Sequence, residues 1–564
     1  MATKRIVVVG GSAAGPKAAA KARRMDQHAE VTLVQREADF SMASCGYPYY
    51  VGGTFNDRNQ LICTPTGVTR DARFFLNAKG IEALSRTEAV RIDRDARKVY
   101  CRNLDTGETL EKEYDKLVLA TGARPFIPPV PGTGLKGVTT LQSLRDADYL
   151  RKVRDDGNIK KAVVVGGGLI GIETCEALAL ADIDMTVVEM LPQIMMFLDW
   201  EMAKLVENCL QRHANVITNN EVVEFLGENG ALTAVRLKNG AELPSQLAVV
   251  AVGVRPNGEL AAEAGLEVGQ RGGVLVNEYM QTSDPDIYAA GDCIELRHML
   301  TDSQVPAPFG DLANLEGRVA GQNVISPGAA RFPGTILTGV CKVFDYAAGA
   351  TGLTEAKARA LGYDDITAAV WAGQDKPPFM DGKLLGIKLV ADNKTRRILG
   401  MQCVGPGDAS KRIAVAATAI QAGMTVDDML NLDLPYAPPF SPAIDPVITA
   451  AHVLENKMDG RMKGISSLAL KKRLDAGEKL FLLDTRGPDE FEEMRLGIGE
   501  TLIPLGALRR RLHDLPQDKD QEIICYCKIS LRGYEAACLL EANGWTNVKV
   551  LEGGIAAWPF PREK

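Results

Sequence analysis

The sequence predicts an α/β protein of several domains: two three-layer domains with open parallel sheets, then an α+β domain, then a separate C-terminal α/β domain. Three observations predict it. A strand, a glycine-rich turn, a helix and a second strand open the chain, and the same succession returns from residue 162. Two such units imply two parallel sheets with helices on their faces. The pattern then shifts to strands at 384–390 and 398–404 with a helix at 410–422. Finally, a polar, glycine-bearing stretch at 458–464 precedes a last run of alternating strand and helix signals. The expected boundaries are 1–148 and 245–325 for the first domain, 149–244 for the second, 326–456 for the third, 457–464 for a linker and 465–564 for the last.

Size and composition narrow the function classes. A chain of 564 residues holds three to five domains at roughly 100–200 residues each. Charged residues make up 24% and apolar residues 46%, as in ordinary globular proteins. The net charge of −7 gives no electrostatic reason to expect nucleic acid or an anionic membrane as partner. No apolar run reaches the roughly 18–20 residues of a membrane span. Lys4 and Arg5 followed by an apolar run imitate the start of an export signal, but glycines and then charges interrupt it. A first strand is the better reading, and the cytoplasm is the expected compartment. The eleven cysteines are scattered, which argues against a disulfide framework and makes most of them small buried hydrophobes. Five histidines, none in a His-x-x-x-His pair, and no second cysteine pair near Cys525 and Cys527 leave no expected metal site.

The first unit runs from a strand at 6–9 through Gly10, Gly11, Ser12, Ala13, Ala14 and Gly15 into a helix ending near Met25, then a strand at 31–34. Its middle position is Ser12 rather than glycine, so a pyrophosphate has less clearance. Gln35 stands where a strand-end acid is usual, and its amide oxygen can accept one ribose hydroxyl; Glu37 is near. The second unit is the fuller match. Gly166 permits the tight turn, Gly168 lets a pyrophosphate approach the backbone, and Gly171 allows close helix–strand packing. The helix start offers N–H groups to phosphates. Glu189 closes the following strand; a carboxylate there binds ribose hydroxyls and repels a 2′-phosphate, so NADH is expected over NADPH.

Two later segments extend the pattern. Residues 117–125 read Leu-Val-Leu-Ala-Thr-Gly-Ala-Arg-Pro, and residues 282–292 read Thr-Ser-Asp-Pro-Asp-Ile-Tyr-Ala-Ala-Gly-Asp. In this order the four elements resemble the FAD/NAD disulfide reductase superfamily over roughly residues 4–325. The resemblance implies FAD on the first unit, with Thr121, Gly122, Gly291 and Asp292 around it, Asp292 on the ribityl chain, and NAD on the second.

In that superfamily the reacting sulfur follows the second strand of the FAD unit. Here residues 41–49 read Ser-Met-Ala-Ser-Cys-Gly-Tyr-Pro-Tyr, with Cys45 alone and no partner four or five residues away. A Cys-x-x-x-x-Cys disulfide is excluded at this place. Ser41 and Cys45 with the Gly-Tyr-Pro-Tyr sequence resemble the single-cysteine branch: coenzyme A disulfide reductases, NADH-dependent persulfide reductases, NADH oxidases and NADH peroxidases. A helix start and a nearby flavin are expected to lower the Cys45 thiol pKa. Ser41 is a candidate substrate contact. Lys17, Lys21 and Arg24 are candidates for coenzyme A phosphates; a solvated helix face is the alternative.

The third domain carries Leu-Pro-Tyr-Ala-Pro-Pro-Phe-Ser-Pro at 434–442. This resembles the dimerisation domain of the same branch, which implies a homodimer and a role for Tyr436 at the partner's active site, protonating or orienting a leaving thiolate. A structural tyrosine at a proline-rich turn is the alternative. Coenzyme A disulfide reductases usually carry a further tyrosine where residues 374–382 here read Gln-Asp-Lys-Pro-Pro-Phe-Met-Asp-Gly, which puts coenzyme A disulfide in doubt as the main substrate.

The last domain resembles a rhodanese. Residues 481–486 read Phe-Leu-Leu-Asp-Thr-Arg, and residues 523–533 read Ile-Ile-Cys-Tyr-Cys-Lys-Ile-Ser-Leu-Arg-Gly. A loop at 527–532 between strand and helix can ring a sulfur anion with N–H groups. The resemblance makes Cys527 the persulfide carrier and Arg532 the residue that shapes the loop. The expected activity is FAD-dependent, NADH-driven reduction of a small persulfide or polysulfide, releasing sulfide and thiol. Coenzyme A disulfide reduction and an NADH oxidase or peroxidase cycling through a cysteine sulfenic acid are the alternatives; a redox sensor with structural FAD is a non-enzymatic one.

Overall fold

A computed structural model describes residues 3–564. The chain divides into two compact units: residues up to Met190 together with Ile217–Thr335, and Leu191–Val216 together with Ile336–Lys564.

In the first unit, strands Ile287–Ala289, Lys116–Leu119, Arg5–Val9, Glu30–Val34 and Glu82–Leu84 lie side by side, all parallel. Val7, Val8, Leu33, Leu117 and Val118 are buried, the near-continuous apolar run of strands covered on both faces. The helix Ala14–Met25 lies against the helix Gly310–Asn323. A Cβ at Gly317 would stand 2.3 Å from the Ala14 carbonyl oxygen and one at Gly321 2.3 Å from that of Ala18. The two backbones therefore touch, and the chain's distant stretch 310–323 is fixed beside its first helix.

A second parallel sheet sets Asp184–Val188, Lys161–Val165, Leu247–Val250 and Val138–Thr139 in that order. The expected limits of 149–244 are therefore too narrow at both ends: Leu247–Val250 pairs with Lys161–Val165, and Val138–Thr139 forms the edge. They are also too inclusive in the middle, because Leu191–Val216 joins the second unit. The reason is a buried charge cluster. Lys388 Nζ lies 2.6 Å from Glu201, 2.9 Å from Glu355 and 3.0 Å from Asp199. Asp199 also accepts the Glu355 and Ala356 N–H groups at a helix start. Separating those charges would leave them unpaired in the interior, a strongly unfavourable state.

In the second unit an antiparallel sheet runs Gly339–Val343, Tyr346–Gly352, Ile398–Gly405, Leu384–Asp392 and, at its edge, Ile366–Gln374. The C-terminal sheet is parallel: Gly464–Ile465, Val548–Leu551, Ile523–Tyr526, Phe481–Asp484 and Thr501–Leu502. The expected linker at 457–464 is shorter than read. Lys457 and Met458 end the helix Pro446–Met458, and Gly464 already pairs with Val550. Among the described residues no helix is long and apolar enough to cross a membrane.

Candidate functional site

Each glycine-rich turn is held from behind by the residue that closes the next strand. Gln35 Oε1 accepts the Gly11 N–H at 3.0 Å, and Glu189 Oε2 accepts the Gly167 N–H at 2.8 Å. The Gln35 amide also donates to the Asp39 carbonyl. Gln35 thus braces the turn, whereas the sequence reading aimed its oxygen at a ribose.

The three glycines of the second turn have separate duties. A Cβ at Gly166 would lie 2.5 Å from the Ala251 oxygen, and one at Gly171 2.2 Å from the Gly166 oxygen; both positions are closed by the fold. At Gly168, which caps the helix Leu169–Ala179, a Cβ would meet nothing within 4 Å. That open space at a helix start is what a pyrophosphate requires. The first turn repeats the close approach, with Gly15 against the Gly10 carbonyl, while Ser12 is half-buried ahead of the helix Ala14–Met25.

The other cofactor candidates converge on the same end of the first sheet. Thr121 Oγ1 donates to the Asn257 carbonyl, and Asn257 returns a bond to the Thr121 carbonyl and another to that of Gly122. Asn257 was not found by sequence reasoning. Gly291 N–H donates to Glu316 Oε2 at 2.7 Å. Burial pushes the Asp292 carboxyl up to about 6. Burial, with Asp292 and Asp311 close by, pushes Glu316 up to about 7. These features fit a flavin dinucleotide: a formed phosphate turn, a clasped Ala-Thr-Gly segment and a carboxyl at Asp292 beside them.

Cys45 sits in a 3-10 turn, Ser44–Gly46, ahead of the short helix Tyr47–Val51. Its residue is exposed. A Cβ at Gly310 would lie 3.3 Å from its Sγ, so the glycine opening the helix Gly310–Asn323 lets that helix start approach the sulfur. Gly310 and Glu316 escaped the sequence reading, because no local signal distinguishes them. The thiol pKa is raised, by burial first and then by the Glu173, Asp292 and Asp311 carboxylates. For the protein without flavin this departs from the expectation of a lowered thiol: partial burial of the sulfur is the largest cause, and three negative neighbours add to it. Ser41 has φ 52° and donates its N–H to the Gly11 carbonyl, while its own carbonyl accepts from Arg70. It ties the phosphate turn to the cysteine loop. Lys17, Lys21 and Arg24 lie on the side of their helix away from its buried residues.

In the second unit Tyr436 is exposed, and so are Phe440, Ile444 and Phe379. The loop is anchored beneath them by Asp445, which accepts from Ser441 and the fully buried Arg412. Cys527 follows the strand Ile523–Tyr526 and is buried, at 1% exposure. The loop is shorter than expected: the helix Leu531–Ala542 starts before Arg532. Arg532 makes a two-pronged pair with Glu490 at 2.6 and 2.8 Å, and this holds the Glu490 carboxyl down to about 2. All eleven cysteines are free thiols; Cys538 is exposed and Cys63 half-buried, so these two depart from the expected buried role. Among the described residues no cluster of His, Cys, Asp and Glu is arranged to hold a metal ion.

Comparison with known proteins agrees with this arrangement. A family model described as pyridine nucleotide-disulphide oxidoreductase matches residues 4–307, its dimerisation domain matches 338–448, and a rhodanese-like domain matches 466–559. The NAD(P)H coenzyme A polysulfide/persulfide reductase of Pyrococcus horikoshii is 35% identical over 453 residues, covering 80% of this chain and 98% of that one. The structure of an NAD-dependent persulfide reductase from A. fulgidus superposes with TM-score 0.93 at 42% identity, covering 98% of this chain and all of that one, 100%. Reduced Bacillus anthracis CoADR-RHD gives TM-score 0.91 at 34% identity over 99% of this chain and 98% of that one.

Proposed function

The chain belongs to the pyridine nucleotide-disulphide oxidoreductase family, and from that premise we propose that it is an FAD-dependent NADH:persulfide/polysulfide reductase whose rhodanese domain carries sulfane sulfur. The observation that carries this reading is a single Cys45 beside Asp292 and the start of the Gly310–Asn323 helix, in a chain that also holds Cys527 between a strand and a helix start. The P. horikoshii and A. fulgidus relatives, named for polysulfide and persulfide reduction, support the substrate class.

In this reading Gly10, Ser12, Gly15, Thr121, Gly122, Gly291 and Asp292 hold FAD, with Gln35 behind the turn. Gly168 and Glu189 would hold NADH, on a turn whose close packing Gly166 and Gly171 permit. The flavin supplies the passage of an electron pair from NADH to sulfur. The Cys45 thiolate attacks the inner sulfur of R–S–SH; a Cys45–S–S–R bond forms and HS⁻ leaves. Two electrons and one proton then release R–SH and restore the thiolate. Cys527 takes sulfane sulfur from a second R–S–SH, giving Cys527–S–SH and R–S⁻, and Arg532 with Glu490 fixes its loop. Lys17, Lys21 and Arg24 offer the charge that coenzyme A phosphates require. The exposed Tyr436, Phe440 and Ile444 support a homodimer in which the phenol serves the second copy's site. Eleven free thiols suit a reducing cytoplasm.

The test is NADH consumption with coenzyme A persulfide, polysulfide, coenzyme A disulfide, peroxide and oxygen in parallel. The fastest turnover is expected with persulfide or polysulfide, with sulfide released. Fastest turnover with peroxide or oxygen would replace this reading with sulfenic acid chemistry.

A further inference from the structure

Directly behind the Cys527 loop, the C-terminal domain grips the preceding domain through one buried carboxylate. Glu552 follows the strand Val548–Leu551, and its side chain is 3% exposed. Its Oε2 accepts the N–H of Val370 at 3.0 Å, on the edge strand Ile366–Gln374. Its Oε1 pairs with Lys457 Nζ at 2.5 Å, and the same ammonium donates to the Ala368 carbonyl at 2.6 Å. An edge strand leaves such groups unpaired unless something covers them. Here Glu552 and Lys457 cover two of them, Lys457 from the helix that precedes the connection at 459–463 and Glu552 from the end of the strand Val548–Leu551.

The grip continues into the sulfur-carrying loop. Gly553 and Gly554 follow at once, with φ 70° and 57°. A Cβ at Gly554 would lie 2.3 Å from the Cys527 carbonyl oxygen, so the two backbones touch. Ile555 N–H donates to that oxygen at 3.1 Å, and Ala556 N–H to the Lys528 carbonyl at 2.9 Å. Ser530 donates to the Leu551 carbonyl. On the apolar side, Ile529 from the loop and Ala556 pack against Val370, Ala372 and Ala557. One strand of the neighbouring domain therefore meets the loop by a polar route through Glu552 and an apolar route through Ile529.

We infer that Lys457 and Glu552 are positioning residues for sulfur transfer at Cys527, setting the geometry of its loop from outside the rhodanese domain. The inference rests on the proposed role of Cys527 as carrier. Neither side chain touches substrate; they fix the backbone against which the Cys527 loop is packed. The arrangement has a physical consequence for the chain as well: the rhodanese domain needs its neighbour to hold its reactive loop in register.

The test uses the full-length, FAD-loaded protein, with thiosulfate as donor and cyanide as acceptor. Lys457→Met is expected to lower sulfurtransfer kcat about tenfold, as displacement of a reactive group by a fraction of an ångström does, with KM for thiosulfate changed less. The rate of Cys527 alkylation by iodoacetamide, read by peptide mass, shifts with it, and amide exchange rises at 366–374. Lys457→Arg restores all three, and NADH-driven flavin reduction stays within about twofold throughout. Glu552→Gln, which keeps an acceptor for the Val370 N–H, carries the same test with a smaller loss if Lys457→Met is not obtained folded. Sulfurtransfer and alkylation equal to wild type in both variants would overturn the inference, as would a loss that arginine does not rescue. A wild-type protein without any sulfurtransfer at Cys527 would overturn the carrier role itself, and the positioning role with it.

Discussion

At the scale of single residues, the account turns on the surroundings of one sulfur. Cys45 is set apart from the other cysteines by position: exposed, on a 3-10 turn, next to the glycine that opens another helix. Its neighbours Glu173, Asp292 and Asp311 are negative, and a carboxylate beside a thiolate raises the energy of the charged form. Removing one such charge must lower the thiol pKa. Glu173→Gln is therefore expected to move the midpoint of Cys45 alkylation against pH downward and to speed the reaction at neutral pH; an upward shift would contradict the electrostatics. The residue-level reading from sequence was strongest where a motif has one physical solution, as at the close backbone approaches of Gly166 and Gly171. It missed Gly310 and Asn257 because their duties arise from contacts with segments more than a hundred positions away, and Glu316 because its partner Gly291 lies on a separate element 25 positions earlier. In the protein without flavin the Cys45 thiol is raised by burial first and then by carboxylates from remote parts of the chain, neither of which the local sequence displays.

At the scale of elements, the two strand–turn–helix units show how a local pattern becomes a binding surface. The second turn separates fold from ligand cleanly. Gly168→Ala places its methyl in open space and is expected to leave thermal stability near wild type while weakening NADH binding. Gly171→Ala drives a methyl to 2.2 Å from the Gly166 oxygen, and overpacking of this kind costs about 1–3 kcal/mol. Thermal unfolding with nucleotide titration distinguishes the two; equal loss of stability in both variants would contradict the assignment. Strand limits were legible within a residue or two, because apolar runs bounded by polar residues and turns define them: the strand expected at 384–390 runs Leu384–Asp392, and that at 398–404 runs Ile398–Gly405. Domain limits were not. The strand Leu247–Val250 carries no sign of which sheet it will join, and the path of Leu191–Val216 into the second unit depends on the Lys388 cluster, whose members are scattered in sequence.

At the scale of the whole molecule, the proposed function combines one cysteine for reduction with another for carrying sulfur in a single chain, and covalent linkage of two sites raises the effective concentration of each for the other where the linker can span them. The dimer proposed from the Tyr436 loop is open to a direct check. Phe440→Glu puts a charge into an exposed apolar group and is expected to shift the protein to monomer by light scattering, with loss of NADH-driven reduction and retained sulfurtransfer at Cys527. A monomeric variant with full reductase activity would remove Tyr436 from catalysis.

The central claim is that electrons from NADH reach a persulfide through Cys45. The most direct measurement is the yield of sulfide per NADH oxidised with coenzyme A persulfide, in wild type and in Cys45→Ser. The account predicts about one sulfide for each NADH in wild type, and a fall of at least ~10³-fold in the variant, which keeps its flavin colour. Sulfide release at an undiminished rate from Cys45→Ser would contradict it.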